Sequence, residues 1–281
     1  MTAYLVYDVF AETRFGGNPL AVVLDAQELD EATLLPIAQE FGFSETTFVY
    51  PPEVEGHTAR VRIFTPAREL PFAGHPTVGT AVALADLGHP TEQVLELGVG
   101  PIPATVTGDR AAFATGVPLE TLGAPDPAAI AACLGLEPGA LRQDRHAPVI
   151  ASVGLPFVLA EVADAAALGR CTPALGPFAE ASALAGLDTH FALYAYTRDG
   201  AEVRARMFSP LDGIHEDPAT GSAAAALTAY LADLDDGPLS LTIAQGVEMG
   251  RPSRIEAQAQ DGTVRIGGRA LRVMEGRLHL A

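Results

Sequence analysis

The chain has 281 residues, a formal net charge of −18, 48% hydrophobic residues and 19% charged residues. That balance fits a folded globular protein long enough for two domains, and so acidic a surface repels nucleic-acid phosphates, so no nucleic-acid partner is expected. All 17 basic residues are arginine; without lysine, neither a pyridoxal-phosphate Schiff base nor a Walker phosphate loop can be built.

Asp8, Glu12 and Arg14 interrupt the apolar start, and no apolar run reaches the length of a membrane span, so a cytoplasmic protein with no membrane partner is expected. Cys133 and Cys171 stand outside any paired motif and are expected to fill core positions rather than form a disulfide or bind metal.

In chain order, "AYLVYDVF" reads as a strand, and "LAVVLD" at 20–25 reads as its hairpin partner across "AETRFGGNP". Gly16, Gly17 and Asn18-Pro19 are turn residues there, and the Asn18 amide is a candidate ligand neighbour. A helix is predicted from Glu31 to about Glu40, then a strand over Thr46 to Tyr50. Glu45 stands just before that strand, among Phe41, Phe43 and Phe48. A carboxylate desolvated by aromatic rings has its pKa raised toward the range of a general base; the alternative is a surface glutamate at a strand edge.

"RIFTPARELPFAGHPTVGTAVAL" at 62–84 has a later counterpart, "RMFSPLDGIHEDPATGSAAAAL" at 206–227. Arg62, Phe64 and Pro66 match Arg206, Phe208 and Pro210. After a gap, His75-Pro76, Gly79 and Thr80 match Asp217-Pro218, Gly221 and Ser222. Each copy reads as a strand, a loop and a helix beginning at a Gly-Thr or Gly-Ser step. Weaker echoes follow at "LELGVGPIPATV" and "IAQGVEMGRPSRI", so the repeat predicts two similar half-chains.

Between the copies, "VPLETLGAPDP" at 117–127 is the linker candidate, and "PVIASVGLPFVLAEV" reads as a hairpin opening the second half. Helix starts carry partial positive charge and suit anions. Glu216 and Asp217 therefore have two readings: acids that stabilise the dipole of a helix capped by Thr220 or Ser222, or groups facing a pocket. The copies differ in carrying His75 on one side and Asp217 on the other, so a cleft between the halves would hold a base and an acid.

No GxGxxG follows the first strand, which leaves a dinucleotide fold unsupported. The histidines at 57, 75, 89, 146, 190, 215 and 279 show no helical pairing with a carboxylate, so no metal is expected. Arg251 in "MGRPSRI" is a candidate for a substrate or interdomain contact, or for an ordinary surface pair.

The motifs "DVFAETRFGGNPLAVV", "FGFSETTFV", "RIFTPARELPFAGHPTVGTA", "EDPATGSA" and "QGVEMGRPS", in this order over nearly the whole chain, resemble the PhzF-like proteins of the phenazine-biosynthesis type. That resemblance implies an α+β fold of the diaminopimelate epimerase type: two pseudo-symmetric domains, each an antiparallel sheet or barrel wrapped around a central helix. The halves are drawn at 1–117 and 118–281, with the last strand a candidate to return to the first. It further implies an active site between the halves and a cofactor-free proton shift with Glu45 as general acid/base. His75, Asp217 and Ser222 would line the same pocket, with Asn18 nearby.

The related epimerases and racemases of this fold use two cysteines at positions matching Ala73 and Ala219, so their two-thiol mechanism is absent here. The resulting expectation is an isomerase acting on a small carboxylate substrate without cofactor or metal. Gly74, Thr77, Gly221 and Ser222 would hold the carboxylate at the helix starts, and the protein would form a homodimer. The rivals are a non-catalytic binder of small acids or proteins on the same fold, and a lyase using the same base.

Overall fold

The computed structural model describes residues 2–186 and 191–279, so His190 lies outside the described residues. Two compact units form, one from residues 1–115 with 265–281 and the other from 116–264.

The first unit contains β1 (Thr2–Val9), β2 (Asn18–Val23), α1 (Glu31–Phe41), β3 (Glu45–Tyr50), β4 (Ala59–Phe64), β5 (Glu69–Leu70), α2 (Gly74–Asp86), β6 (Glu92–Leu97), β7 (Gly100–Thr107) and β8 (Arg110–Thr115). The second holds β9 (Glu120–Gly123), α3 (Pro127–Cys133), β10 (Val149–Ser152), β11 (Pro156–Glu161), α4 (Ala165–Gly169), α5 (Leu175–Ala185), β12 (Leu193–Asp199), β13 (Glu202–Ser209), β14 (Ile214–Asp217), α6 (Gly221–Leu234), β15 (Leu239–Gln245) and β16 (Ser253–Gln260). β17 (Thr263–Leu278) returns to the first unit for most of its length.

In the first unit, β1 pairs with β2, β2 with β3 in parallel, β3 with β4, β4 with β6 in parallel, β6 with β7 and β7 with β8. β17 pairs with both β8 and β1 and closes the ring. Inside this barrel lies α2, buried continuously from Gly74 to Leu84. Its small residues allow that burial. A Cβ on Gly79 would sit 2.5 Å from a Leu20 methyl and 2.6 Å from a Val9 methyl, so glycine lets the helix approach β1 and β2. Outside the ring, α1 packs Leu34, Ile37 and Ala38 against Val23, Phe48 and Phe64. Asp30 caps α1 by accepting from the Ala32 N–H, and Gly42 ends it at φ 64°.

The second unit follows the same pairing sequence. β9 pairs with β10, β10 with β11, β11 with β12 in parallel, β12 with β13, β13 with β15 in parallel and β15 with β16. α6 packs on β10, β11, β15 and β16. The strict alternation of buried and exposed residues along β16 shows one face turned to that core. A separate cluster built from α3, α4 and α5 surrounds Phe178, Phe191 and Phe208, and Cys133 and Cys171 are buried in it.

Three expectations are corrected here. α2 begins at Gly74, five residues before the Gly-Thr step; Pro76 fits its first turn, where a missing N–H costs nothing. Segment 117–127 is not a plain linker, because β9 lies within it and α3 starts at its end. The repeat also has a different register. β5 lies on β4 with Leu70 opposite Ile63, and β14 lies on β13 with Asp217 opposite Met207, so Leu70 is the counterpart of Asp217. From there "ELPFAGHPTVGTAVALAD" at 69–86 runs without a gap beside "EDPATGSAAAALTAYLAD" at 216–233, and the helices start at the paired Gly74 and Gly221. His75 therefore corresponds to Ser222, and Ala73 corresponds to Thr220 rather than Ala219.

Candidate active site

In the first unit the structure brings Asn18, Glu45 and His75 together. Asn18 opens β2, Glu45 opens β3 beside it in parallel, and His75 is the second residue of α2 within the ring. Asn18 therefore belongs to a strand rather than the preceding turn. β3 is tied to α2 by the Thr80 hydroxyl, 3.0 Å from the Thr47 hydroxyl.

His75 Nδ1 lies 3.3 Å from the Asn18 amide nitrogen, and the Ser44 hydroxyl donates to Asn18 Oδ1 at 3.0 Å. The consistent assignment has the Asn18 N–H donating to Nδ1, which leaves the imidazole proton on Nε2. Nε2 is buried, has no hydrogen-bond partner among the described residues, and stands 3.6 Å from Glu45 Oε2. Burial pushes the His75 pKa down to about 3, so the ring is neutral near neutral pH. Ser44, Asn18, His75 and Glu45 thus form one line of polar groups with the carboxylate at its end.

Of the three rings expected beside Glu45, Phe48 is turned away from it. By strand alternation Phe48 points to the opposite face of β3, where it packs with α1 and Phe64. Phe41 packs against that same α1 cluster and stacks on Phe43. The Glu45 side chain, 14% exposed, has buried His75 beside it.

In the second unit Asp217 ends β14, buried, four residues before α6. The Thr220 hydroxyl donates to Asp217 Oδ2 at 2.5 Å, so Thr220, although in the cap position, makes no capping bond to α6. Gln245, wholly buried at the end of β15, donates to the Asp217 carbonyl at 2.8 Å and to Thr220 Oγ1 at 2.9 Å. Its side-chain carbonyl accepts the Thr220 N–H and the Tyr194 hydroxyl, each at 3.1 Å. Burial, then the negative charge of Asp217, raises the Tyr194 pKa, so its hydroxyl stays protonated.

Glu216 is engaged in an ion pair. It grips Arg206 with two hydrogen bonds of 2.8 and 2.7 Å, and Arg206 also donates to the carbonyls of Leu168 and Cys171. In the first copy the equivalent Arg62 holds Glu69 and Glu31.

Of the predicted ligand contacts, Gly74 and Gly221 begin α2 and α6, and Ser222 is partly exposed. The Thr77 hydroxyl donates to the Ala73 carbonyl at 2.7 Å, a bond inside its own helix start. Arg251 donates its backbone N–H to Gly246. Among the described residues no group of three or more His, Cys, Asp or Glu could hold a metal ion.

Sequence reasoning missed Ser44, Tyr194, Gln245 and Ser253. Gln245 and Ser253 stand at either end of "QGVEMGRPS", which was the available signal. The Ser253 hydroxyl lies 3.0 Å from the Pro218 carbonyl and 3.1 Å from that of Gln245. A Cβ on Gly246, at φ 70°, would sit 2.6 Å from the same Pro218 oxygen. This motif therefore holds the Asp217–Thr220 turn.

The fold agrees with the comparisons. Residues 7–276 match the family described as phenazine biosynthesis-like protein, PhzC-PhzF. An uncharacterized isomerase of Mesorhizobium japonicum is 43% identical, covering 99% of this chain and 98% of its own. A trans-2,3-dihydro-3-hydroxyanthranilate isomerase of Pseudomonas aeruginosa is 36% identical with both chains fully covered. The solved structure of a predicted epimerase from Pseudomonas aeruginosa superposes with a TM-score of 0.83 at 33% identity, again over the whole of both chains. Matched end to end in sequence and in fold, the chain belongs to the PhzF-type, phenazine-biosynthesis-like family of isomerases.

Proposed function

We propose that the chain moves a proton on a small carboxylate-bearing substrate without a cofactor, with Glu45 as general acid/base. The observation that carries this reading is the line from Ser44 through Asn18 and His75 to Glu45. Glu45 takes a proton from a carbon next to an unsaturated system and returns it to another atom of the same substrate, so nothing is gained or lost overall. Neutral His75 presents an N–H toward the reacting centre, able to steady charge that develops there. Asp217 is proposed as the second catalytic carboxylate. The N–H groups at Gly74, Gly221 and Ser222 are proposed to hold the substrate carboxylate, with Asn18 as its neighbour.

The Pseudomonas aeruginosa relative suggests the first probe, trans-2,3-dihydro-3-hydroxyanthranilate, a cyclic unsaturated amino carboxylate. The matching pairing order of the two units supports a diaminopimelate epimerase-like, pseudo-symmetric fold. A cytoplasmic homodimer completes the proposal; light scattering that returns a monomer removes the dimer.

The test is proton NMR in deuterated water with wild type and Glu45→Gln. Wild type is expected to exchange or relocate one substrate proton, and the variant to do so at least about 10²-fold more slowly. A variant as fast as wild type removes Glu45 from the chemistry. Tight binding with no exchange in wild type supports a binder instead.

A further inference from the structure

We infer that Gln245 is a positioning residue that orders the protons around Asp217: it makes the Thr220 hydroxyl donate to Asp217 Oδ2 and so holds that side chain in one orientation. The inference rests on the proposed catalytic role of Asp217.

Following each proton leaves one arrangement. The Thr220 backbone N–H can only donate, so the Gln245 atom facing it at 3.1 Å is the amide oxygen. The Gln245 NH2 group consequently faces the Asp217 carbonyl and Thr220 Oγ1, and both accept. Thr220 Oγ1, having accepted one proton, directs its own at Asp217 Oδ2, 2.5 Å away, the short distance of a hydroxyl on a carboxylate. A proton on Oδ2 would face the Thr220 proton head-on, so that oxygen is held as an acceptor. The Asp217 side chain is thereby held in one orientation with Oδ2 as the accepting oxygen. The clamp is rigid: Gln245 is fully buried with both ends of its amide bonded, and the next residue, Gly246, leaves no room for a side chain between the carbonyls of Arg251 and Pro218.

Gln245→Glu keeps the shape and replaces the donating group with an oxygen, so the Thr220 proton is drawn to the new carboxylate and away from Asp217. Exchange of the substrate proton should then fall about 10–100-fold in kcat with KM changed less than about threefold. Thr220→Val should give the same loss, and the double variant no more than either alone, because both break one chain of bonds. Asp217→Asn is the reference arm.

If Asp217→Asn retains full activity, the role of Asp217 and this inference both fail. If it is impaired while Gln245→Glu and Thr220→Val turn over normally, this inference alone fails. Losses that add in the double variant also overturn it, since Gln245 would then act through packing. One readout needs neither substrate nor activity: wild type should show a slowly exchanging, downfield Thr220 hydroxyl proton by NMR, displaced in Gln245→Glu. Should Gln245→Glu not fold, Thr220→Val and this resonance decide the matter, and its absence from wild type overturns the inference.

Discussion

Removing Glu216 and removing its counterpart Glu69 should have very different effects, although each binds the arginine at the same place in the repeat. Arg206 and Glu216 are each 9% exposed, whereas Glu69 is 43% and Glu31 is 70% exposed beside Arg62. In Glu216→Ala the Arg206 guanidinium keeps only the carbonyls of Leu168 and Cys171, so a buried cation loses its counter-charge. Breaking such a pair costs about 3–5 kcal/mol. At about 2–4 °C per kcal/mol, the melting temperature should drop by roughly 6–20 °C. Glu69→Ala leaves Arg62, 20% exposed, still paired with Glu31, and should cost at most about 1 kcal/mol. The assay is thermal and urea unfolding followed by circular dichroism. Replacing both buried partners, as Arg206→Met with Glu216→Leu, should recover most of the loss because no charge is left stranded. Equal costs for the two alanine variants, or a cost below about 1 kcal/mol for Glu216→Ala, would refute the argument from burial.

Gly246→Ala places a methyl 2.5 Å from one backbone oxygen and 2.6 Å from another at φ 70°. It should destabilise by about 2–4 kcal/mol in urea unfolding, and a change under about 0.5 kcal/mol contradicts the packing described. Burial lowers the His75 pKa from 6.5 to about 3, so between these values the unfolded chain binds more protons there than the folded one. Stability should fall as pH drops through that window, by up to about 1.4 kcal/mol per pH unit from this site, and His75→Asn should flatten the dependence; an unaltered slope argues against a buried neutral ring. Burial raises Cys133 to about 12 and Cys171 to about 11, so iodoacetamide should label neither thiol in the native protein and both in denaturant, as counted by mass spectrometry.

Local signals made much of the architecture legible. The β1–β2 and β10–β11 hairpins and α1 follow from alternation, turn residues and caps, each within a few residues of chain. The half-chain repeat was visible through Arg62, Phe64, Arg206 and Phe208. Its register was not, because the three extra residues of the second copy sit before β14, and only strand pairing shows that Asp217 lies opposite Met207. Glu45, His75 and Asn18 could be named as candidates, yet the link from Ser44 through Asn18 to His75 depends on two strands and a helix meeting. Phe48, three residues beyond Glu45, turns away from it because residues alternate faces along a strand. Gln245 acts on residues 25 and 28 positions earlier, a separation at which no local pattern survives.

β17 closes the first barrel by lying between β8 and β1, with Ala270 opposite Val9. A ribosome adding roughly 5–20 residues per second needs on the order of 10–50 s after making β1 to deliver that partner. The second unit, contiguous from 116 to 264, has all its residues before then and can finish first. Throughout the delay β1 and β8 are strands with an unpaired side, open to the wrong neighbour. Folding of the first unit is therefore the step of synthesis most exposed to aggregation, and the one a chaperone would have most reason to guard.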